Sequence, residues 1–213
     1  MQAISDIRRE YTQAGLDVND LTPEPYALFE RWLQNAIDAK LVDPTAMTIA
    51  TVDSAGQPSQ RIVLLKDFDN TGFIFYTNTG SKKAQDLDQN NKISLHFPWH
   101  ALERQVKVCG IAQPLSKVAV AKYFMSRPKP SQIAAWASAQ SHPINSKQML
   151  MQKFSEAKVK FAKGEVPLPS FWGGYRVVPH EIEFWQGGDH RLHDRFLYTK
   201  TSSNHWQTQR LMP

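Results

Sequence analysis

A dense group of ionisable residues follows a glycine pair near the C-terminal end of the sequence. Residues 182–195 read I-E-F-W-Q-G-G-D-H-R-L-H-D-R, so an apolar and aromatic stretch runs into Gly187-Gly188 and then into charge. Burying so much charge is costly and solubility does not require it, which favours a functional site over an ordinary surface. If the segment continues as a strand, alternation places Arg191, His193 and Arg195 on one face, where they suit an anionic ligand beside a reacting group. The alternative is a strand with a salt-bridged edge.

A lysine pair at a predicted helix start forms a candidate phosphate site. Ser81 is predicted to cap a helix over residues 82–88, which begins with Lys82 and Lys83. Free N–H groups at a helix N-terminus, a hydroxyl and two ammonium groups together favour phosphate binding. The spacing is not that of a Walker loop, and no G-x-G-x-x-G occurs, which disfavours a Rossmann dinucleotide site.

A second anion site is predicted further along the chain. Tyr123 and Arg127 are four residues apart on a predicted helix and so share a face. The helix is expected to break at Pro128 and Pro130, and Ser131 to cap the next one. An arginine there can grip a phosphate through two hydrogen bonds, although Arg127 in solvent beside a kinked helix pair is the alternative. Two phosphate sites predict two phosphorylated ligands, a cofactor and a substrate.

Two cations also flank an apolar strand in the first half of the sequence. Arg61 and Lys66 are five residues apart, so in a regular strand they lie on opposite faces and serve different groups. Ordinary strand-end charges are the alternative.

Other chemistries find less support. His180, His190 and His193 lack the Cys or Glu that completes a recognisable ligand set, so no metal is predicted. The sequence lacks the G-x-S-x-G elbow that is typical of a serine hydrolase. The single cysteine, Cys109, lies in an apolar run and is predicted to be a small buried hydrophobe. The aromatic residues Trp172, Phe184 and Trp185 are predicted to belong to the core.

Composition sets wider bounds. The chain has 213 residues, 25 lysines and arginines against 20 acidic residues, and a formal net charge of +5. The basic residues are dispersed, so nucleic-acid binding is permitted but not favoured. No apolar run spans a membrane, the N-terminus lacks a signal-peptide core, and one cysteine fits a reducing compartment. We therefore expect a cytoplasmic protein that binds neither membrane nor nucleic acid.

The elements that must position these residues are mostly short strands. Residues 1–20 are predicted to be a mobile arm, and residues 21–213 a single domain. A first helix is predicted to start at Thr22-Pro23 and to end before Pro44, with Phe29, Leu33, Ala36 and Ile37 on its core face. Further helices are predicted at 116–127, 131–139 and 146–163, and strands at 47–52, 61–67, 73–77, 92–97, 104–114, 171–178, 181–186, 195–200 and 205–211. The fold class is mainly β with inserted helices (α+β), as a small closed barrel with helical decoration.

The sequence also resembles the pyridoxine (pyridoxamine) 5'-phosphate oxidase family from about residue 8 to the C-terminus. Besides the segment at 182–195, the similar segments are R-R-E-Y, Q-R-I-V-L-L-K, F-Y-T-N, G-S-K-K-A, F-P-W-H-x-L-E-R-Q-V, Y-F-x-S-R-P, S-Q-I-x-A-W and P-L-P-S-F-W-G-G. The resemblance implies an FMN-binding split β-barrel that works as a homodimer, with the flavin at the subunit interface.

The resemblance also implies roles for individual residues. Arg191 and His193 would be catalytic, and the arm residues Arg8 and Tyr11 would fold over the substrate. Substrate contacts would come from Lys66, Tyr123, Arg127, Ser131, Arg191 and His193. FMN contacts would come from Arg61, Ile62, Val63, Leu64, Leu65, Lys66, Tyr76, Thr77, Lys82, Lys83, Gln105, Gln140, Ser141, Trp185 and Arg195.

Two positions depart from the family pattern. Lys82 stands where the family usually has arginine, so it offers a point charge in place of a planar fork. His142-Pro143 follows Gln140-Ser141, which is less typical of the family.

The activity that the resemblance implies is FMN-dependent oxidation of pyridoxine 5'-phosphate and pyridoxamine 5'-phosphate to pyridoxal 5'-phosphate. Dioxygen would accept the electrons, and hydrogen peroxide would be the second product. The alternative is a non-catalytic flavin- or pyridoxal-phosphate-binding module on the same barrel, because fold does not fix function. The complete run from Arg191 to Arg195 favours the enzyme.

Overall fold

Nine strands and five α-helices make up the part of the chain that the computed structural model describes, residues 3–6, 9–13 and 15–213. The helices are α1 (Pro25–Asp38), α2 (Lys82–Gln89), α3 (Lys117–Ser126), α4 (Lys129–Ala137) and α5 (Lys147–Lys160). The strands are β1 (Ala46–Val52), β2 (Pro58–Leu64), β3 (Asp67–Asp69), β4 (Gly72–Asn78), β5 (Lys92–Trp99), β6 (Arg104–Pro114), β7 (Trp172–Gln186), β8 (Asp194–Lys200) and β9 (Trp206–Leu211). Arg8, one of the predicted arm residues, lies outside the described residues.

The strands form one antiparallel sheet in the order β2-β1-β5-β6-β7-β4-β3, with β8 and β9 added beside β7. Strand β7 organises this sheet because it pairs with β4 through its first half and with β8 through its second half. The hydrogen-bonded ladder ends at β2 on one side and at β3 on the other, so the barrel is split and not closed as the strand pattern alone predicts.

The core forms because each strand turns alternate residues inward. In β1, Met47 and Ile49 are fully buried while their neighbours are partly exposed. Helix α1 packs across this interior, and the ring of Phe29 lies 4.9 Å from those of Phe73 and Phe97. A second, smaller cluster joins α3, α4 and α5 through Phe124, Ile133, Ala135, Ala157, Phe161 and Val166.

Several predicted boundaries are wrong. Helix α1 begins at Pro25, which occupies its first turn, and Ile37 is 45% exposed and lies off the core face. Residues 171–178 and 181–186 are parts of the single strand β7, which continues through Pro179 beside an irregularity at Cys109/Gly110 of β6. Strand β2 ends at Leu64, before the predicted Asp67. No helix among the described residues has the length and apolar character needed to cross a bilayer.

Candidate active site

A cavity of about 440 Å³ collects side chains from six separate segments of the chain. This volume lies in the range of small-ligand pockets. These segments are residues 61–66, 76–77, 83, 123–127, 140–141 and 172, which belong to or directly follow β2, β4, α2, α3, α4 and β7. The lining residues are Arg61, Ile62, Val63, Leu64, Lys66, Tyr76, Thr77, Lys83, Tyr123, Arg127, Gln140, Ser141 and Trp172. Twelve of these thirteen were predicted as ligand contacts, so the two predicted phosphate sites open into one cavity.

Lys83 provides a buried cation in this cavity. The residue is 5% exposed, and its Nζ lies 3.3 Å from Thr77 Oγ1, 3.4 Å from Ser81 Oγ and 3.2 Å from Gln140 Oε1. All three partners are neutral, so among the described residues the ammonium has no carboxylate counter-ion. Burial, assisted by the charge of Arg61, lowers the pKa of Lys83 to about 8. An unpaired buried ammonium is suited to an anionic ligand.

Arg61 and Lys82 meet at one buried carboxylate. Arg61 donates to Thr51 Oγ1 at 2.6 Å and to Ser59 Oγ at 2.7 Å, and its Nη2 lies 3.9 Å from Asp86 Oδ2. Lys82 is exposed and forms ion pairs with Asp53 and Asp86. Its ammonium is therefore engaged by acidic side chains and does not line the cavity.

Lys66 shares the cavity with Arg61, contrary to the prediction of opposite faces. The prediction is wrong because strand alternation stops where β2 ends, at Leu64. Lys66 follows in the connection to β3, where its backbone N–H donates to the Ile74 carbonyl at 2.9 Å. Leu65, between them, is buried away from the cavity in the main core.

Arg127 brings a second cation to the cavity. It is the C-cap residue of α3, and its guanidinium lies 4.4 Å from the ring of Trp172. The Nη1 atom is buried and has no hydrogen-bond partner among the described residues, which is a costly arrangement unless a ligand provides an acceptor. Tyr123, one turn earlier, stacks on Tyr76 with ring centroids 3.8 Å apart.

Ser131 does not cap a helix. Helix α4 begins at Lys129 with Pro128 as its N-cap, so Ser131 lies inside the first turn and does not line the cavity. The pattern misled because a proline in the first helical turn is favourable, and Pro130 starts α4 instead of interrupting it. Ser81 does occupy the N-cap of α2, but its hydroxyl makes no capping bond and faces Thr77 Oγ1 at 3.4 Å.

A second cavity of about 320 Å³ lies on β5, β6, β7 and β8, and its lining includes three predicted flavin contacts. Its lining residues are His96, Gln105, Lys107, Glu183, Trp185 and Arg195. Glu183 joins two of the cations, since it accepts from Arg195 Nε at 2.8 Å and lies 2.8 Å from Lys107 Nζ. Burial raises the pKa of Glu183, but hydrogen bonds from Lys107 and Arg195 outweigh burial and lower it.

The segment between Gly188 and β8 is a turn, so the predicted strand alternation of residues 191, 193 and 195 is wrong. Residues Asp189–Arg191 form one 3-10 turn, with φ of 53° at His190 and 64° at Arg191. Such left-handed backbone is strained for residues with a side chain and is common at functional sites. Arg191 is exposed. The His193 ring packs beside Trp185, at 4.7 Å between centroids, and beside Tyr11 at 5.3 Å.

Sequence reasoning missed four residues that line the two cavities. Trp172 was expected in the core, and the W-G-G motif at the start of β7 was the signal that it lies near the site. His96, Lys107 and Glu183 were missed because they are single polar residues within strands. Lys107 and Glu183 become neighbours through the β6–β7 register, which the sequence does not reveal. Cys109 is half-buried, not fully buried as predicted.

The donor set fits a phosphorylated flavin. A phosphate needs cations and hydroxyl donors, and the cavity offers the buried ammonium of Lys83 beside the Thr77 hydroxyl and the guanidinium of Arg127, whose Nη1 has no partner among the described residues. The apolar stretch Ile62, Val63 and Leu64 and the loop residues Gln140 and Ser141 line the space between polar groups. His142 Nδ1 lies 3.2 Å from the Gln140 carbonyl, and Gln140 and Ser141 remain in the cavity despite the unusual His142-Pro143. Within the described residues, no three His, Cys, Asp or Glu side chains gather as a metal site.

Comparisons with known proteins place this geometry in context. A family model described as pyridoxamine 5'-phosphate oxidase matches residues 33–161, and one described as pyridoxine 5'-phosphate oxidase C-terminal dimerisation region matches residues 172–213. The chain is 64% identical to the pyridoxine/pyridoxamine 5'-phosphate oxidase of Pseudoalteromonas translucida, over 99% of both chains. It is 65% identical to that of Photobacterium profundum, again over 99% of both.

Solved structures share the fold. The crystal structure of PhzG from Burkholderia lata 383, in complex with tetrahydrophenazine-1-carboxylic acid, superposes with a TM-score of 0.88 at 31% identity, covering 94% of this chain and 99% of that one. A pyridoxamine 5'-phosphate oxidase-related, FMN-binding protein from Nostoc punctiforme gives a TM-score of 0.71 over 91% of this chain and 98% of that one. At 16% identity the second likeness bears on the fold alone.

Proposed function

Because this chain belongs to the pyridoxine/pyridoxamine 5'-phosphate oxidase family, we propose that it oxidises pyridoxine 5'-phosphate and pyridoxamine 5'-phosphate to pyridoxal 5'-phosphate with FMN as cofactor. The observation that carries the proposal is that one cavity holds both Lys83 and Arg127, two cations that no described carboxylate pairs. Two anion positions in one cavity suit one phosphate of the cofactor and one of the substrate.

The cofactor contacts follow from where the cations lie. Lys83 and Arg61 would hold the FMN phosphate at the start of α2. Lys82 would contribute indirectly, because Lys82 and Arg61 both form ion pairs with Asp86. The flavin ring would lie along the remaining predicted FMN contacts of the cavity: Ile62, Val63, Leu64, Lys66, Tyr76, Thr77, Gln140 and Ser141. When bound, FMN would supply the two-electron redox chemistry that side chains lack, with dioxygen as the final electron acceptor.

The substrate phosphate would bind to Lys66, Tyr123 and Arg127, which line the cavity. The family resemblance adds Ser131, which lies in the first turn of α4 outside that lining. Anchoring the phosphate fixes the 4' carbon against the flavin, and positioning of this kind can supply up to about 7–11 kcal/mol in the best intramolecular models. Arg191 and His193 would orient the ring from the other side and stabilise charge at its oxygen. The alcohol loses two electrons and two protons to become the aldehyde, and dioxygen becomes hydrogen peroxide. The amine also needs a water to release ammonia.

We further propose that the enzyme is a homodimer with FMN at the subunit interface. The residues matched as a dimerisation region include β7, β8 and β9, which carry Trp185, Arg195 and the 189–193 turn. Trp185 and Arg195, with Gln105, line a cavity separate from the one that holds Lys83 and Arg127. In the proposed two-fold dimer, one subunit's second cavity would lie against its partner's first, so that each site draws on both subunits. Residues 1–20 would serve as the arm, residues 21–213 as the one FMN-binding domain, and the reducing cytoplasm suits the single cysteine.

The direct test follows peroxide. Purified protein is mixed with pyridoxine 5'-phosphate in air, with and without added FMN, and both hydrogen peroxide and pyridoxal 5'-phosphate are measured. We expect the two products to form in equal amounts, at a rate that is proportional to the amount of bound FMN. Uptake of FMN without either product would favour the non-catalytic binding module. A protein that takes up no FMN would contradict the proposal altogether.

A further inference from the structure

Glu103 is a buried carboxylate that receives three contacts from the N-terminal segment. The residue is 4% exposed and lies between the 3-10 turn His100–Leu102 and strand β6. Its Oε2 accepts the backbone N–H groups of Thr12 at 2.9 Å and Gln13 at 3.0 Å. Its Oε1 accepts from Arg9 Nη1 at 3.0 Å, although Arg9 itself is 58% exposed. One side chain about ninety positions away therefore holds both the backbone and a side chain of residues 9–13.

The backbone of Glu103 holds the turn before Arg191 and His193. Its carbonyl accepts from the Gly187 N–H at 2.7 Å and from Gln186 Nε2 at 3.2 Å. The residue has a φ of 53°, a left-handed conformation that a non-glycine residue adopts at some cost. Glu103 thus connects the N-terminal segment to the same Gly-Gly turn that leads into the proposed catalytic residues.

Tyr11 lies between the residues that contact the Glu103 side chain and the Gly187-Gly188 turn that contacts the Glu103 carbonyl. Its ring meets Trp185 edge-on at 5.7 Å and His193 edge-on at 5.3 Å. A Cβ on Gly187 would come within 2.6 Å of the Tyr11 ring, so the glycine allows the arm to approach this closely. Tyr11 thus contacts His193 while the residues on both sides of it, Arg9, Thr12 and Gln13, are held by Glu103.

We propose that Glu103 is a positioning residue that anchors the N-terminal arm so that Tyr11 covers the His193 side of the active site. Hydrogen bonds to a buried carboxylate are strong ones, and without it the Thr12 and Gln13 N–H groups bond equally well to water. The arm then leaves His193 and Trp185 open. The inference rests on the proposed function for the reaction that the arm serves, while the anchoring itself does not depend on it.

The variants separate the contacts. Glu103→Ala removes all three acceptor contacts, whereas Glu103→Gln keeps one oxygen for Thr12 and Gln13 and places an amide NH₂ against Arg9. Glu10→Gln, an exposed glutamate of the same segment, is the control matched for charge. Hydrogen–deuterium exchange of the full-length FMN-loaded protein then reports on residues 11–13, and the exchange of β6 and β7 reports on the fold. The same samples give kcat and KM for pyridoxine 5'-phosphate and the Kd for FMN.

Glu103→Ala should speed exchange of the Thr12 and Gln13 amides by about tenfold or more and raise KM by about tenfold, with the Kd for FMN unchanged. Glu103→Gln should show an intermediate change, and Glu10→Gln none. If Glu103→Ala also speeds exchange in β6 and β7, the fold itself has changed. The same exchange and kinetic measurements on Glu103→Gln and Arg9→Gln then test the proposal. The proposal would be overturned if Thr12 and Gln13 in Glu103→Ala exchanged at the wild-type rate. It would also be overturned if they exchanged faster while KM and kcat stayed unaltered. If wild-type protein releases no peroxide, the oxidase function fails, and the Kd for pyridoxal 5'-phosphate replaces KM in judging the arm.

Discussion

The charge on Lys83 depends on pH within the range in which enzymes are assayed. Burial and the neighbouring Arg61 lower its pKa to about 8, so the folded apoprotein carries this cation below pH 8 and loses it as the pH rises further. A phosphate is a dianion throughout this range because its second pKa is about 6. The Kd for FMN should therefore rise by about tenfold between pH 7 and pH 9, since only the protonated fraction binds well.

Titration of apoprotein with FMN, followed by quenching of flavin fluorescence, measures this dependence. Lys83→Arg is the matched variant, because arginine stays protonated at both pH values and should flatten the profile. A wild-type Kd that does not change between pH 7 and pH 9 would remove Lys83 from the phosphate site.

Arg127 should affect the substrate more than the cofactor. Arg127→Ala removes a guanidinium whose buried Nη1 has no hydrogen-bond acceptor among the described residues. We therefore expect KM for pyridoxine 5'-phosphate to rise by about 10- to 100-fold, with a smaller change in kcat. Unphosphorylated pyridoxine provides the control, because its kcat/KM should be the same with and without Arg127. An unchanged KM for the phosphorylated substrate would exclude Arg127 from the phosphate site.

At the scale of elements, the turn at residues 189–193 depends on one glycine. A Cβ on Gly188 would lie 2.4 Å from the Leu192 carbonyl oxygen, which is backbone and cannot move aside as a flexible side chain can. Gly188→Ala should therefore displace Arg191 and His193 and reduce kcat/KM by about 100-fold, while the Kd for FMN and the melting temperature stay close to wild type. Gly56→Ala is a useful comparison for stability, since no described atom lies within 4 Å of the added Cβ there, and only a positive φ, which Gly188 does not have, strains the alanine. Wild-type kcat/KM in Gly188→Ala would show that this turn does not position the reaction.

The elements were largely predictable, whereas their junctions were not. Alternation and turn residues gave most strands and helices because each depends on its own local sequence. The errors fall where tertiary contacts or backbone exceptions decide: β7 continues through Pro179, α4 accepts Pro130 in its first turn, and residues 189–193 turn. Type and spacing indicated Arg61, Lys66, Lys83, Tyr123 and Arg127 as ligand contacts, and the family resemblance supplied the other predicted cavity residues. Lys107 and Glu183 were missed because the sheet register that pairs them is not written in either segment.

At the scale of the whole molecule, the predicted site residues fall into two groups. Lys66, Tyr123 and Arg127 line the large cavity, whereas Trp185 and Arg195 line a smaller one, with His193 packed against Trp185. Both groups are needed for the proposed chemistry. A homodimer that brings one group from each subunit makes two equivalent sites, each complete only across the interface.

A mixed dimer tests this central claim most directly. Subunits carrying Arg127→Ala and Arg191→Ala are given different affinity tags, co-expressed, and isolated as the doubly tagged dimer, whose kcat/KM is compared with both parents. Since one of its two sites then has both arginines intact, we predict about half of the wild-type kcat/KM, well above either parent. A doubly tagged dimer no more active than its parents would show that one subunit supplies both arginines and would contradict the shared site.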